Sequence, residues 1–167
     1  MCVKDEKDHT IKRREFLVGG ALTVAGAGVC MCGLNGCSTI TGVGDTPPVE
    51  KESYNIEAPA SKMVVYLDKI PELSDVGGAV KIVDESLGDN IIIARTGENE
   101  YVTASLHCTH RGVELEYDHE RKLFKCSSAG GSKFTLDGKN AGGPAESPLR
   151  IYGNTVEGNT LIISLGE

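Results

Sequence analysis

Short apolar runs separated by turn residues dominate the chain from residue 61 onward. Alternating or β-branched runs of this length predict strands, because successive side chains of a strand point to opposite faces. The runs lie at 63–67, 79–83, 90–95, 101–105, 114–117, 122–125, 150–156 and 160–164. Gly158-Asn159 is a typical hairpin turn between the last two. No long segment has a helical period, so the pattern predicts an all-β fold, a small antiparallel sandwich or barrel with one inserted loop subdomain.

The first 44 residues have a different pattern, which is typical of an export signal. A polar start ends in Lys12-Arg13-Arg14-Glu15-Phe16-Leu17, and no further charged residue follows until Asp45. A basic region followed by an apolar region is the order found in signal sequences. The arginine pair resembles the Arg-Arg-x-Phe-Leu core of twin-arginine signals, which export folded proteins and would suit a cofactor inserted in the cytoplasm. A plain membrane anchor with a fortuitous arginine pair is the alternative.

Two routes of membrane attachment are open after this signal. Leu34-Asn35-Gly36-Cys37-Ser38 resembles a lipobox, in which Cys37 would be lipidated. Alternatively, residues 16–40 remain as an uncleaved span of about 25 residues, enough to cross a ~30 Å hydrocarbon core. Either route would leave the following domain attached to the membrane on its periplasmic, extracytoplasmic side. Residues 45–60, rich in proline and glutamate, would form an extended linker to a domain at 61–167.

Charge and cysteine content narrow the choice of partners and chemistry. The 167-residue chain has a formal charge of −7, which makes nucleic acid an unsuitable partner. From residue 38 onward it has 20 acidic and 12 basic residues, so no basic surface for anionic lipid is expected. Four of the six cysteines fall within the signal region, at positions 2, 30, 32 and 37. The exported domain keeps only Cys108 and Cys126, which form either a disulfide or part of a metal site.

Cys108 and Cys126 each open a glycine-containing loop with metal-binding character. The first loop reads Cys-Thr-His-Arg-Gly at 108–112, and the second reads Cys-Ser-Ser-Ala-Gly-Gly-Ser-Lys-Phe at 126–134. Two thiolates and an imidazole suit iron–sulfur clusters, copper or zinc rather than magnesium or calcium. The spacing of Cys108, His110 and Cys126 resembles that of Rieske proteins, whose two loops read Cys-x-His and Cys-x-x-His.

The resemblance to Rieske proteins extends over residues 61–165. Residues 138–149 are similar to the family's Gly-x-x-x-x-Gly-Pro-Ala-x-x-Pro-Leu segment, in which a Gly-Pro loop packs beneath a [2Fe–2S] cluster. The resemblance therefore implies a Rieske-type fold whose cluster-binding loops form the inserted subdomain. High-potential members also join their two loops by a disulfide. Its positions correspond here to Val113 and Ser128, so no such bridge can form and a lower reduction potential is expected.

The resemblance also assigns roles to individual residues. Cys108 and Cys126 would ligate the inner iron of the cluster as thiolates. His110 would ligate the outer iron through one imidazole nitrogen. Ser132 resembles the family serine that hydrogen-bonds a bridging sulfide and thereby raises the reduction potential.

The second histidine of the Rieske pattern is missing from this chain. Three residues after Cys126, where the family has that histidine, the chain has Ala129. The position of Ser132 implies a one-residue insertion, so Gly130 and Gly131 are alternative positions for it. The residues that could substitute for it from elsewhere are His107, His119, Ser127 and Ser128. Without a substitute, either the outer iron has an open position or the site binds no cluster.

Two functions follow from these possibilities. The first is a membrane-attached electron-transfer protein, a component of a quinol–cytochrome c reductase-like or other periplasmic redox complex rather than an enzyme alone. Its partners would be a quinol-oxidising subunit or a c-type cytochrome. The second is a degenerate Rieske domain without a cluster, which acts as a structural or interaction subunit. An oxygenase is not expected, because the chain leaves no room for a catalytic domain with its own iron.

Overall fold

The computed structural model describes residues 46–58 and 61–166, and strands make up most of their regular structure. The strands, all paired antiparallel, are Tyr54–Glu57 (β1), Lys62–Tyr66 (β2), Ala79–Ile82 (β3), Ile91–Gly97 (β4), Glu100–Ser105 (β5), Leu115–Asp118 (β6), Leu123–Cys126 (β7), Lys133–Thr135 (β8), Asn140–Gly142 (β9), Ile151–Tyr152 (β10), Asn154–Glu157 (β11) and Thr160–Ser164 (β12). Short 3₁₀ turns lie at Lys51–Ser53, Leu67–Lys69 and Pro71–Leu73. The all-β class predicted from the hydrophobic pattern is confirmed.

The predictions made for residues 1–44 lie outside the described residues. They comprise the twin-arginine signal, the apolar span at 16–40 and the lipidation of Cys37. In the part of the chain that is described, no helix is long and apolar enough to cross a membrane.

The strands form four-stranded antiparallel sheets with the orders β1-β2-β12-β11, β10-β5-β4-β3 and β6-β7-β8-β9. The second sheet contributes to two apolar cores, because β4 has hydrophobic side chains on both faces. Ile91 and Ile93 pack into the core shared with the first sheet, whereas Ile92 and Ala94 pack into the core shared with the third. The continuous Ile-Ile-Ile-Ala run of β4 is typical of a strand that is buried on both sides.

The second of these cores supports the two loops that carry the cysteines. Its buried members are Ile92, Ala94, Ala104, Leu106, Cys108, Leu115, Phe124, Cys126, Phe134, Ala145 and Leu149. Phe124 and Phe134 are paired across β7 and β8 and are completely buried. The burial of each phenylalanine contributes about 1.5–3 kcal/mol to stability. The third sheet is therefore packed against this core, and it holds Cys126 at the end of β7.

The segment predicted as an extended linker, residues 45–60, differs from that prediction. β1 pairs with β2 along its whole length, and Tyr54 is only 7% exposed. Further upstream, the N–H of Lys81 donates to the C=O of Pro47 at 2.9 Å, and the N–H of Val49 donates to the C=O of Lys81 at 2.9 Å. The prolines and glutamates that indicated a linker instead flank a strand anchored by a buried tyrosine. The folded domain therefore extends upstream of position 61 and includes β1.

Two other elements differ from the predicted pattern. The predicted strand 150–156 is divided at Gly153, so that β10 pairs with β5 whereas β11 pairs with β12 in another sheet. β8 and β9 have three residues each and were not predicted. The predicted hairpin turn between β11 and β12 is confirmed, and Gly158 there has a φ of +58°, which favours glycine.

Candidate metal centre

The first loop, residues 108–112, is closed by two backbone hydrogen bonds at its base. The N–H of Cys108 donates to the C=O of Val113 at 2.8 Å, and the N–H of Gly112 donates to the C=O of Cys108 at 2.8 Å. Gly112 has a φ of +69°, a left-handed conformation that glycine adopts without steric cost. This closure places Cys108 at the buried base of the loop and His110 on its exposed part.

The second loop, residues 126–132, begins at the last residue of β7. The N–H of Cys126 donates to the C=O of Ser132 at 2.8 Å, which joins the two ends of the loop. Within it, the N–H of Gly131 donates to the C=O of Ser128 at 2.9 Å. Gly131 has a φ of +55°, so this turn also depends on a left-handed residue.

Side-chain hydroxyl groups tie the two loops to their surroundings. The hydroxyl of Ser127 donates to the C=O of Glu114 at 2.9 Å and so joins the second loop to the chain that leaves the first. The hydroxyl of Thr109 donates to the C=O of Ser147 at 2.8 Å. Ser147 belongs to residues 143–148, here named the return loop, which follows β9. The three segments are thus linked without any metal.

The return loop also contacts the end of the second loop directly. The N–H of Ala145 donates to the hydroxyl oxygen of Ser132 at 3.2 Å. A Cβ at Gly143 would lie 2.5 Å from the Cα of Ser132, and Gly143 has a φ of +87°. Only glycine fits so close an approach between two backbones. The Gly-Pro-Ala motif therefore positions Ser132 by backbone packing.

The thiols of Cys108 and Cys126 meet at the base of the two loops. These residues are 3% and 1% exposed. Burial raises the pKa of the Cys108 thiol, but hydrogen bonds to its sulfur outweigh burial and lower the pKa below its ordinary value. The donors are the backbone N–H of His110, the hydroxyl of Ser132, the thiol of Cys126 and the backbone N–H of Arg111. The environment therefore favours a thiolate at Cys108, which is the form that binds metal.

The structure brings Cys108, Cys126 and Ser132 together but does not complete a metal-binding group. His110 is exposed, and none of the described residues hydrogen-bonds its imidazole. Across the described ranges, 46–58 and 61–166, no three His, Cys, Asp or Glu side chains are placed to hold a metal ion.

Both histidines considered as substitutes for the missing ligand have other partners. Nδ1 of His107 lies 3.3 Å from a carboxylate oxygen of Asp89. Nδ1 of His119 lies 3.2 Å from the hydroxyl of Tyr117 and 3.2 Å from Nζ of Lys122. The second of these histidines is in the turn between β6 and β7, at the opposite end of the hairpin from the second loop. Neither is placed to complete the site.

Of the two serines considered, only Ser128 is near a thiol. Its hydroxyl oxygen lies 3.1 Å from Sγ of Cys126, so it adjoins the predicted inner-iron ligands. The hydroxyl of Ser127 is directed to the C=O of Glu114 instead.

The three positions that correspond to the missing histidine differ in the space around them. Ala129 is exposed and has no positive φ. A Cβ at Gly130 would lie 3.1 Å from Cγ of Pro144, which leaves little room for a side chain. A Cβ at Gly131 would have open space, but the φ of +55° is unfavourable for any residue except glycine. Ala129 is therefore the position that best accommodates a larger side chain.

The donor set fits one half of a [2Fe–2S] cluster fully and the other half in part. Two buried cysteines, with hydrogen-bond donors already directed at one sulfur, match the thiolate side of a Rieske cluster. On the imidazole side the loops supply His110 alone. Thr109, to which the sequence analysis gave no role, helps to hold the return loop against the other two loops, as does Gly143 of the Gly-Pro motif. The sequence did contain a signal for Thr109, because it is a hydroxyl residue between the candidate ligands Cys108 and His110.

Comparison with known sequences gives a consistent result. The family profile of the Rieske [2Fe–2S] domain matches residues 63–153, just over half of the chain. The cytochrome b6-f complex iron–sulfur subunit of Chlorobaculum tepidum is 27% identical over 111 residues, which is 66% of this chain and 60% of that subunit. The chain thus spans about three fifths of the length of this relative.

One of two similar solved structures supports the same fold. The ferredoxin of carbazole 1,9a-dioxygenase from Nocardioides aromaticivorans matches 60% of this chain and 93% of its own, with a TM-score of 0.50 and 20% identity. The plasma-membrane Rieske protein of Synechocystis PCC 6803 matches 57% of this chain and 93% of its own, with a TM-score of 0.47 and 23% identity.

Proposed function

The chain belongs to the Rieske [2Fe–2S] domain family, and from this premise we propose that it is an electron-transfer protein held at the extracytoplasmic face of a membrane. The family was predicted from the spacing of Cys108, His110 and Cys126, and that prediction is confirmed. A Rieske cluster, when bound, takes up and releases one electron. The chain would therefore pass single electrons between partners rather than transform a substrate by itself.

The convergence of the two buried thiols is the observation that supports this proposal most directly. Cys108 and Cys126 come from different loops, yet both are buried in the same cluster, and the Cys126 thiol is one of the groups that lower the pKa of Cys108. Two backbone N–H groups and the Ser132 hydroxyl already point at the Cys108 sulfur. Groups that stabilise a negatively charged sulfur are needed at a thiolate–iron centre and have no use in an apolar core.

Each residue of the centre has a definite task in this proposal. Cys108 and Cys126 would hold the inner iron, and His110 would hold the outer iron. Ser132, fixed by the Ala145 N–H, would keep a hydroxyl donor beside the sulfurs and so raise the reduction potential. His110 is the exposed member of the set, so the exposed face around it would be the place where electrons enter and leave.

The proposed partners rest on the sequence relative. The Chlorobaculum protein is an iron–sulfur subunit of a cytochrome b6-f complex. We infer that this chain is likewise a subunit of a membrane redox complex, with a quinol-oxidising subunit or a c-type cytochrome as its redox partner. The family match, residues 63–153, includes both loops, which form the part that would contact such a partner.

Export and membrane attachment are proposed from residues 1–44. The Arg13-Arg14 pair supports the twin-arginine route, and Cys37 or the apolar run at 16–40 supports attachment. If the route is correct, replacing both arginines by lysine will leave the protein in the cytoplasmic fraction. Normal export of that variant would overturn this part of the proposal.

A second function is favoured by one specific observation. The second loop has alanine and glycines where the family has its second histidine, and none of the described side chains near it replaces that ligand. A Rieske domain that binds no cluster would serve as a structural or interaction subunit of the same complex.

One experiment separates the two functions. The full chain is produced in a host that assembles iron–sulfur clusters, and iron, acid-labile sulfide and the reduced EPR spectrum are measured. An electron carrier is expected to contain about two irons and two sulfides per chain and to show a Rieske-type signal. C126S is the control, because it removes one thiolate and should abolish the iron content. A folded chain that holds no more iron than this variant would overturn electron transfer and leave the structural function.

A further inference from the structure

Cys108 and Cys126 are the only cysteines in the described part of the chain, and both are free thiols there. We propose that these two residues form a reversible disulfide with each other when no cluster is bound, and that this disulfide closes the site to iron. The disulfide itself does not depend on cluster binding. Its effect on iron loading rests on the proposed function, since the same two sulfurs would serve as ligands.

The two thiols are held together by contacts that involve no metal. The hydroxyl of Ser127 joins the second loop to Glu114, and the hydroxyl of Thr109 joins the first loop to Ser147. Because these contacts fix the loops, the thiols meet without the ordering of a flexible chain. The entropic cost of closing the ring is therefore small, and each thiol has a high effective concentration at the other.

The apolar surroundings of the two thiols accommodate a disulfide. Cys108 and Cys126 belong to the same buried cluster as Leu115 and Phe124. A disulfide is uncharged, so it is compatible with these apolar neighbours. With exposed fractions of 3% and 1%, the two residues also leave little room for a stable adduct with an external thiol.

The missing imidazole makes the metal-free state accessible. A cluster bound through Cys108, Cys126 and His110 has one protein ligand fewer than the four of the family pattern, and Ala129 offers only a methyl group. Loss of the cluster returns both thiols to the arrangement described above. The same two sulfurs therefore have two mutually exclusive uses, as iron ligands and as a disulfide.

The redox step requires a thiol-oxidising co-reactant, for which a low-molecular-mass disulfide is sufficient. One protein thiol attacks glutathione disulfide, forms a mixed disulfide and releases one glutathione. The second protein thiol then attacks the mixed disulfide and releases the other glutathione. One S–S bond breaks and one forms, while two protons and two electrons pass from the protein to the two glutathione molecules.

Peptide mapping of the full chain tests the disulfide directly. The cluster-free protein is equilibrated with glutathione disulfide, its remaining thiols are alkylated, and it is digested with trypsin. Cleavage after arginine and lysine places Cys108 in peptide 96–111 and Cys126 in peptide 126–133, apart from the cysteines of the signal region. We expect these two peptides to be recovered as one linked species, and dithiothreitol to separate them.

C108S and C126S are the matched controls, since each leaves one thiol and should abolish the linked species. Recovery of the two wild-type peptides mainly as alkylated forms would overturn the proposal. So would recovery as glutathione adducts, or linkage to a cysteine of the signal region.

Iron loading tests the closing of the site. The oxidised protein and the same protein after reduction and removal of the reductant are incubated anaerobically with ferrous iron alone, since thiols and sulfide both open disulfides. We expect uptake by the reduced form and loss of uptake by the oxidised form. Uptake by both forms would overturn the closing of the site, and uptake by neither would count against the proposed function. In both cases the peptide map would still decide whether the disulfide forms.

Discussion

Ala129 is an exposed residue of the second loop, and it does not have a positive φ. In the variant A129H the second loop would regain an imidazole three residues after Cys126, as in the family pattern. We expect A129H to retain more iron and acid-labile sulfide than the natural chain during gel filtration. Its reduced EPR spectrum should also become sharper, because the outer iron would have a single ligand set.

A129Q is the matched control, since glutamine is similar in size to histidine but is a poor ligand for iron. It should retain no more iron than the natural chain. Equal retention by A129H and A129Q would show that the histidine position of this loop has been assigned to the wrong residue.

Asp84 is a buried carboxylate that anchors the chain upstream of β1. Its side chain is 5% exposed and accepts hydrogen bonds from Lys51, from the hydroxyl of Tyr54 at 2.8 Å and from the N–H of Ser86 at 2.9 Å. The bond from Lys51, followed by those from Ser86, holds the pKa of Asp84 well below its ordinary value of 3.8. Burial, followed by this hydrogen bond and charge, raises the pKa of Tyr54 to about 12.

The depressed pKa of Asp84 predicts how stability varies with pH. Because the folded chain binds this proton less readily than the unfolded chain, the stabilisation is complete above pH 3.8 and declines as the pH falls below it. Removal of a buried, hydrogen-bonded carboxylate costs about 1–3 kcal/mol, so D84N should lower the free energy of unfolding by this amount at neutral pH. Denaturant titrations at several pH values should show the difference from the natural chain shrinking in acid.

D137N provides the comparison for this prediction. The pKa of Asp137 is also lowered, to about 2, by Lys139 and Thr135, but this carboxylate is at the surface. Solvent screening leaves such pairs little effect on stability, so D137N should unfold like the natural chain at every pH. A pH-independent difference between D84N and the natural chain would contradict the role given to the Asp84 carboxylate.

At the scale of elements, the contact between the return loop and the second loop depends on one glycine. A methyl group at Gly143 would lie 2.5 Å from the Cα and 2.8 Å from the backbone nitrogen of Ser132, neither of which can move alone. G143A should therefore separate the two loops and lower stability by more than the roughly 1–2 kcal/mol of a left-handed alanine. The change should appear in thermal unfolding and in faster amide exchange at Ala145.

G158A separates backbone strain from steric clash in this prediction. Gly158 also has a positive φ, of +58°, but a Cβ there would meet no atom within 4 Å. G158A should therefore show the strain alone, and only G143A should change amide exchange at Ala145. Similar losses of stability in both variants would mean that the close approach has no energetic importance.

The elements that sequence predicted well are those with a clear period. Short apolar runs identified β2, β3, β4, β5 and β12, whereas the burial of β4 on both faces was seen only in the structure. β1 was missed because Tyr54 and Ile56, its two apolar residues, are surrounded by prolines and glutamates that are typical of linkers. β8 and β9 are too short to show a period, and their pairing depends on contacts with β7 that only the fold provides.

The candidate site, too, could be predicted from the sequence only in part. Cys108, Cys126 and Ser132 could be chosen from spacing, and the fold brings them together. The partners of His107 and His119 could not be foreseen, because Asp89 and Lys122 reach them through sheet pairing and turn geometry. The hydrogen bonds of the Thr109 and Ser127 hydroxyls could not be predicted either, since a hydrogen bond to a backbone carbonyl leaves no pattern in the sequence.

At the scale of the whole molecule, charge is distributed unevenly. Residues 108–146, which include both loops and the third sheet, contain six acidic and six basic residues and have no formal net charge. The rest of the described chain contains twelve acidic and six basic residues, a formal charge of −6. The part of the molecule that would meet a redox partner is thus neutral, although the chain as a whole is acidic.

This distribution predicts a weak effect of salt on electron transfer. Steering between complementary charged surfaces accelerates association by about 10- to 1000-fold at low ionic strength. For a neutral contact surface around His110, the rate at which the reduced protein reduces a basic c-type cytochrome should change by less than about tenfold between low and physiological ionic strength. Stopped-flow measurement over a salt series checks this, and a steep decrease with salt would place the contact on the acidic part instead.

The pairing of residues 47–49 with β3 has a consequence for handling the protein. β3 is the outermost strand of its sheet, and these upstream residues occupy the backbone groups of Lys81 that would otherwise face solvent. An uncovered strand edge recruits edges of other molecules, which leads to aggregation. A fragment limited to the family match, residues 63–153, would lose these upstream residues together with β1 and β12. Poor solubility of this fragment would then result from the exposed edge of β3 and not from a defect in the iron site.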